Sequence, residues 1–94
     1  MTTPVGPSNA RDPGNQVTYF TQQITLAGAN VAMSTYFNGG FCRSITPQAD
    51  GTLYIQRAGD AGYTSYLCKA GVPITGQIVS IGASSSAIVV NLEL

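Results

Sequence analysis

The sequence predicts an all-β protein, and three observations support this fold class. Short runs of β-branched and aromatic residues recur at intervals of roughly ten residues from Val17 onward, separated by Gly, Pro, Asn and Asp clusters. The closing run, residues 87–94, has the most regular two-residue alternation in the sequence, with Ile88, Val90, Leu92 and Leu94 on one face. No segment shows sustained helical spacing. We therefore expect an antiparallel β-sandwich, jelly-roll-like, formed by about seven or eight short strands in residues 17–94.

Each strand is predicted from its alternation and from the turn residues that bound it. The expected strands are residues 17–26, 31–37, 41–46, 52–57, 63–69, 74 with 77–81, and 87–94. The pair Gln22-Gln23 interrupts the alternation of the first strand, which indicates a bulge. In the third strand, Phe41 and Ile45 should lie opposite Cys42 and Ser44. Pro47 should close this strand, since proline cannot donate to a central ladder.

The turns are predicted from the residues that favour them. Asn38-Gly39-Gly40 should turn the chain after the second strand. Asp50-Gly51 is the clearest hairpin signal and should join the third strand to the fourth. Residues 58–62 and 82–86 are expected to be loops rich in small residues.

Residues 1–16 differ in composition from the rest of the chain. They hold three of the five prolines and offer few sizeable apolar groups, so they cannot form a core element. A segment with no core of its own is ordered only where a partner holds it. We expect an extended N-terminal arm that lies on another subunit. The residues expected to contact that partner are Pro4, Val5, Pro7, Arg11, Asp12 and Pro13.

The chain carries very little charge. Only 9% of its residues are charged, against about 25% in ordinary soluble domains, and four basic residues balance four acidic ones. A freely soluble monomer normally keeps a charged surface, so this composition indicates a surface largely covered by neighbouring subunits. Four scattered cations cannot form the basic stripe that binds nucleic acid, and we expect no nucleic-acid partner.

Membrane and secretory segments are not expected either. The sequence has no apolar run of about 18 residues. Its first residues lack the basic and apolar regions of a secretory signal. We expect a protein that is made and used without crossing a membrane.

Catalytic chemistry finds little support in the residue types present. Histidine, the commonest general base and metal ligand, does not occur. Cys42 and Cys68 are too few for a zinc site of four ligands, and we interpret both as small apolar core residues, with a disulfide as the alternative. Asp50 and Asp60 lie in turn signals, where Asp binds its own backbone. We expect no enzyme, and no catalytic, metal-binding or cofactor-binding residue.

Three tyrosines stand out among the aromatic residues. Tyr36, Tyr54 and Tyr66 fall opposite apolar partners on their predicted strands. Two interpretations stay open: the tyrosines complete the core with their hydroxyls at its rim, or they face outward as interface contacts. A sugar-stacking platform is a weaker alternative, because tryptophan is absent.

The sequence from Ile24 to Leu94 resembles the small β-sandwich auxiliary proteins of tailed-bacteriophage virions, chiefly capsid cement or decoration proteins. The resemblance is carried by Ile24-Thr25-Leu26, Cys42-Arg43-Ser44-Ile45, Gly51-Thr52-Leu53-Tyr54-Ile55, Ala70-Gly71-Val72-Pro73-Ile74 and residues 81–94. The resemblance lies in the residue composition of these segments and in their order along the chain. None of them is a motif that identifies a specific chemical activity.

The resemblance implies a structural virion protein that binds the outer surface of the major capsid protein shell and stabilises the joints between capsomers. It also implies a homo-oligomer, most often a trimer, with no cofactor, made in the host cytoplasm and located on the capsid surface. Two alternatives stay open. One is a head-to-tail connector or tail structural component, and the other is a glycan- or receptor-binding β-sandwich module.

Overall fold

The computed structural model describes residues 20–94, so the predicted arm, residues 1–16 with its six contact residues, lies outside the described residues. Within residues 20–94 the protein is all-β, as predicted. The strands are β1 (Thr21–Thr25), β2 (Val31–Ala32), β3 (Cys42–Pro47), β4 (Gly51–Arg57), β5 (Thr64–Cys68), β6 (Ile74–Ile81) and β7 (Val89–Glu93). A three-residue 3₁₀ turn, Met33–Thr35, follows β2.

The strands form one antiparallel sheet with the order β1-β7-β3-β6-β4-β5, and the short β2 pairs with β6 beside this path. The two edges of the path are therefore β1 and β5. Hydrogen bonding connects the strands into a single continuous sheet, whereas the sequence predicted two packed sheets in a sandwich or jelly roll. That finer arrangement stays a prediction.

The core is built from the inward faces of the strands and from the segments around β2. Its fully or almost fully buried apolar residues are Leu26, Met33, Phe37, Cys42, Ile45, Leu53, Ile55, Cys68, Ile78, Ile81, Val90 and Leu92. The alternation predicted for β4, β5 and β7 is confirmed. Leu53 and Ile55 are buried between half-buried neighbours, and Cys68 is buried beside Leu67, which is 89% exposed.

The predicted bulge at Gln22-Gln23 is wrong. β1 pairs with β7 in an unbroken register from Thr21 opposite Glu93 to Thr25 opposite Val89. The irregularity lies instead between β3 and β6, where β6 has one residue more than β3 between the pairs Cys42–Ile78 and Ser44–Thr75. Cys42 and Ile45 are both fully buried, although alternation had put them on opposite faces.

The predicted strand 31–37 is also wrong beyond its first two residues. Tyr36 N–H and Phe37 N–H both donate to the Met33 carbonyl, at 3.0 and 2.9 Å, so the chain coils here. Met33 and Phe37 are fully buried, while Thr35, which alternation placed on the same face, is exposed. A spacing of four residues fits one helical turn as well as it fits a strand, and packing decides between them.

The hairpin predicted at Asp50-Gly51 does not form. β3 has β7 and β6 as its neighbours, while β4 has β6 and β5. The connection therefore carries the chain from one side of β6 to the other. The Asp50 carboxylate serves this connection by accepting a hydrogen bond from the Ala70 N–H at 2.9 Å.

β6 runs without a break through the position where the sequence predicted a gap. Gly76 sits inside it with φ of 135°, a conformation that L-residues with side chains rarely adopt. The Arg57 side chain lies where a Cβ on residue 76 would be. Glycine thus lets β6 continue beneath that guanidinium group.

Candidate interaction surface

The three predicted tyrosines do not form one patch. All three are half-buried. In the β4–β5 register Tyr66 pairs with the buried Leu53, so Tyr66 lies on the core face, whereas Tyr54 pairs with the exposed Ser65 on the outer face. Tyr36 follows the 3₁₀ turn and, like Tyr66, packs against the core.

Tyr66 is held by Arg57 at the end of β4. The guanidinium carbon lies 5.2 Å from the centre of the Tyr66 ring, and Nη1 donates to the Tyr66 hydroxyl. The remaining guanidinium hydrogen bonds go to the Thr75 carbonyl, from Nη2 at 2.7 Å and from Nε at 3.2 Å. Both bonds join the side chain of Arg57 to β6. Arg57 lies at the end of β4, where the register with β6 shifts between Gln56 and Arg57. Arg57 is therefore committed to holding strands together.

Tyr63, which the sequence analysis did not single out, is more exposed than the three predicted tyrosines. It is 40% exposed, and its hydroxyl is hydrogen-bonded to Ser80 Oγ at 2.8 Å. A Cβ at Gly82 would lie 3.2 Å from the Tyr63 ring, so the ring rests closely on that glycine. The signal available in the sequence was the position of Tyr63 at the start of an alternating run.

The segment that follows β6 covers the side of β4 away from β5. Thr52 N–H donates to Ser86 Oγ at 3.0 Å, and Tyr54 N–H donates to Ser85 Oγ at 2.9 Å. The carbonyls of Thr52 and Tyr54 accept from Ser86 N–H and Gly82 N–H. The serine hydroxyls accept from β4 where the carbonyls of a neighbouring strand would otherwise do so, and the 82–86 segment occupies the place of a strand beside this part of β4.

This arrangement fixes the direction of the β5 peptide groups. Because Thr52 and Tyr54 face the 82–86 segment, the alternate residues of β4 face β5, and their partners Thr64, Tyr66 and Cys68 face β4 in return. Ser65 and Leu67 therefore direct their N–H and C=O groups away from the sheet. We call this outer side of β5, with Ser65 and Leu67, the β5 edge.

The β5 edge carries the most exposed large apolar side chain of the described residues. Leu67 is 89% exposed, and Val72, just beyond the strand, is 57% exposed. Alternation in the sequence predicted that Ser65 and Leu67 point away from Cys68. It did not predict that their strand would lie at the edge of the sheet.

The charged side chains of residues 20–94 are mostly engaged within the chain. Lys69 Nζ lies 3.5 Å from Asp50 Oδ2, and both side chains are exposed. The hydrogen bond from Ala70 N–H, together with the Lys69 charge, lowers the pKa of Asp50. Asp60 Oδ2 accepts from Arg57 N–H at 2.9 Å. Asp60 thus binds the backbone of its own turn, as its sequence position predicted, whereas Asp50 binds the N–H of Ala70, which is distant in sequence.

Neither cysteine is positioned for chemistry. Both are free and buried, which confirms their interpretation as core residues. Burial raises the pKa of the Cys42 thiol to about 11, so this group stays protonated near neutral pH. Cys68 Sγ lies 3.8 Å from the Ala49 carbonyl, to which it donates.

A polar depression of about 350 Å³ lies between β1 and β7. Its lining consists of Thr21, Gln22, Gln23, Asn91 and Glu93. Gln23 Nε2 donates to Asn91 Oδ1 at 3.1 Å, and Gln48 Nε2 donates to the same oxygen at 3.4 Å. The amides therefore satisfy one another along the outer face of the sheet.

The part of the chain described here, residues 20–94, contains no cluster of three or more side chains able to ligate a metal ion. Over the same residues, no helix is long and apolar enough to cross a lipid bilayer. Comparisons with protein-family models, curated proteins and solved structures found no match for this chain.

Proposed function

We propose that this chain is a structural virion protein that attaches to the outer surface of a bacteriophage capsid and stabilises the joints between its capsomers. The observation that carries the proposal is the state of the charges. Among residues 20–94, Lys69 pairs with Asp50, Arg57 binds Tyr66 and Thr75, and Asp60 closes a turn. The described residues hold few charged side chains, and most of these already have a partner within the chain, which suits a protein covered by neighbours.

The resemblance to capsid cement proteins supplies the kind of neighbour. In this account the major capsid protein is the main partner, further copies of the chain are the second, and the chain acts in the virion without catalysis. Its effect is thermodynamic. A protein that binds only the assembled, expanded shell favours that state by mass action. Weak contacts repeated over a lattice add to one another through effective concentration.

We also propose that the single sheet bends over itself into two sandwich-like layers. The support is the core itself. Leu53 and Ile55 of β4 and Val90 and Leu92 of β7 are all fully buried, although β3 and β6 separate the two strands in the sheet. Residues 20–94 include no helix beyond the 3₁₀ turn, so a second layer formed by the sheet itself, together with Leu26, Met33 and Phe37 from the connecting segments, would account for this burial.

Copy number in purified particles tests the proposed function. Quantitative mass spectrometry of virions from the phage that encodes the chain should give a fixed ratio to the major capsid protein, on the scale of one per subunit or per capsomer. A handful of copies per particle would instead identify a connector or tail component. Absence of the chain from the particles would refute the proposal.

A saccharide-binding role is a second candidate, and one observation favours it. The polar depression between β1 and β7 presents hydroxyl, amide and carboxylate groups, and Phe20, next in sequence to Thr21, is 76% exposed. Glycan-array binding by the isolated chain that Asn91→Ala and Phe20→Ala abolish would support this role. An array without a hit would remove it.

A further inference from the structure

The β5 edge lacks the features with which proteins protect a free strand. Natural sheets protect their edges with proline, with charged side chains or with bulges. β5, with the sequence Thr-Ser-Tyr-Leu-Cys, has neither proline nor charge, and it pairs with β4 without a register shift. The other edge strand, β1, also has no proline, charge or bulge, but its exposed side chains Thr21, Gln23 and Thr25 are all polar. The β5 edge exposes Leu67 instead, and pairing would cover that apolar side chain, so β5 is the edge better suited to pair with another strand.

We propose that the β5 edge is a self-association surface, on which two copies of the chain pair their β5 strands in antiparallel fashion about a two-fold axis through Tyr66. In this register Ser65 of one copy faces Leu67 of the other, and all the outward peptide groups of both residues are used. Leu67 lies over the small Ser65 side chain, and the two Tyr66 residues become a cross-strand aromatic pair.

A second copy fits this edge better than an unrelated strand because the edge is complementary to itself. A strand paired antiparallel with its own copy matches in length, and its central residues are uncharged. Lys69, just beyond the strand, is already neutralised by Asp50 of its own chain. In the proposed register Lys69 faces Tyr63 of the other copy, so no like charges stand opposite each other.

The size of the contact sets its strength. Stable interfaces bury about 800 Å² on each partner, and a five-residue strand edge with Leu67 and its neighbours is smaller. The isolated dimer should therefore be weak and concentration-dependent. A two-fold contact closes at two copies, so we expect a dimer and not the trimer that the family resemblance implies. The inference needs no capsid and can fail while the proposed function holds.

Analytical ultracentrifugation of the full chain, from about 10 µM to about 1 mM, tests the proposal. The wild-type chain should pass from monomer to dimer over this range. Leu67→Lys should weaken dimerisation at least about tenfold, the loss expected for one central contact. Thr25→Lys, which adds the same charge at an exposed position of the β1 edge, is the matched control and should dimerise like the wild type.

A second pair of variants tests the backbone contribution. Because the Ser65 N–H faces away from β4, Ser65→Pro removes a donor of the β5 edge without removing a β4–β5 hydrogen bond. It should abolish the dimer, whereas Ser65→Ala should retain it, with thermal unfolding confirming that each variant is folded. A wild-type chain that stays monomeric, a trimer, or a dimer that survives Leu67→Lys would overturn the proposal. Binding of a different partner to this edge by a monomeric wild type would overturn it too.

Discussion

At the scale of single residues, Cys42 shows how position decides chemistry. Its thiol is fully buried where the β3 register shifts, beside Ile78 of β6. A cysteine adjacent to an arginine in sequence could be taken for an activated nucleophile. Arg43, however, is exposed on the other side of the strand and lies over the Phe41 ring, with 5.4 Å from its guanidinium carbon to the ring centre. Burial therefore raises the pKa of the Cys42 thiol more than the backbone hydrogen bonds of Ser44 and Cys42 lower it.

The raised pKa of Cys42 predicts a loss of stability in alkaline solution. The unfolded thiol ionises near its ordinary value of 9.0, while the folded thiol stays protonated up to about 11. The free energy of unfolding is therefore unaffected by this group below about pH 8 and falls between pH 9 and 11, by a total of about 2 to 3 kcal/mol. Urea titrations of the wild type and of Cys42→Ala would measure this.

The comparison of the two proteins removes the contribution of tyrosine and lysine titration, which both share. The stability difference between them should shrink as the pH rises through this window. Parallel stability curves from pH 7 to pH 11 would contradict a buried, neutral thiol.

At the scale of elements, local pattern and non-local pairing explain different parts of the fold. Alternation was sufficient for β4, β5 and β7, because in each strand one face is more deeply buried than the other. It failed at β3, where Cys42 and Ile45 are both buried, and it did not predict that β6 has an extra residue opposite this part of β3. The turn residues Asp50-Gly51 predicted a hairpin, but the two strands that they connect pair with other strands. Strand order is a property of the whole sheet.

The 82–86 loop makes the clearest prediction at this scale. Ser85 is buried and its Oγ accepts from Tyr54 N–H, so Ser85→Ala should leave a backbone donor without its partner. The expected cost is about 1 to 3 kcal/mol in the free energy of unfolding. Ser84→Ala, at an exposed position of the same loop, is the control and should change stability by less than about 0.5 kcal/mol. Equal effects of the two substitutions in chemical denaturation would contradict the role assigned to the Ser85 hydroxyl.

The candidate surface was predictable from the sequence only in part. The outward direction of Leu67 followed from its place opposite Tyr66 and Cys68. The free edge beneath it did not, because it depends on β4 having the 82–86 segment as its other neighbour. The three tyrosines were expected to act alike, yet the β4–β5 register separates Tyr54 from Tyr66.

At the scale of the whole molecule, the disposition of charge predicts how attachment responds to salt. Exposed ion pairs contribute about 0 to 1 kcal/mol each, while a buried apolar or aromatic side chain at an interface contributes about 2 kcal/mol or more. With so few free charges, binding to the capsid should change less than about tenfold between low salt and about 1 M salt.

Sedimentation of the labelled chain with capsids that lack it would measure this dependence. The control at each salt concentration is to verify that these capsids stay intact when no chain is added. A steep loss of binding with salt would assign the attachment to the cations of the chain and would contradict a neutral interface.

The stability of the capsid itself tests the central claim most directly. Particles prepared without the chain, and then saturated with it, should be heated while genome release is followed with a fluorescent dye. If the chain binds only the assembled shell, the release temperature rises on saturation, because a ligand at about 100 times its Kd adds about 2.7 kcal/mol per site. Release at the same temperature with and without bound chain would contradict the claim that it stabilises the joints between capsomers.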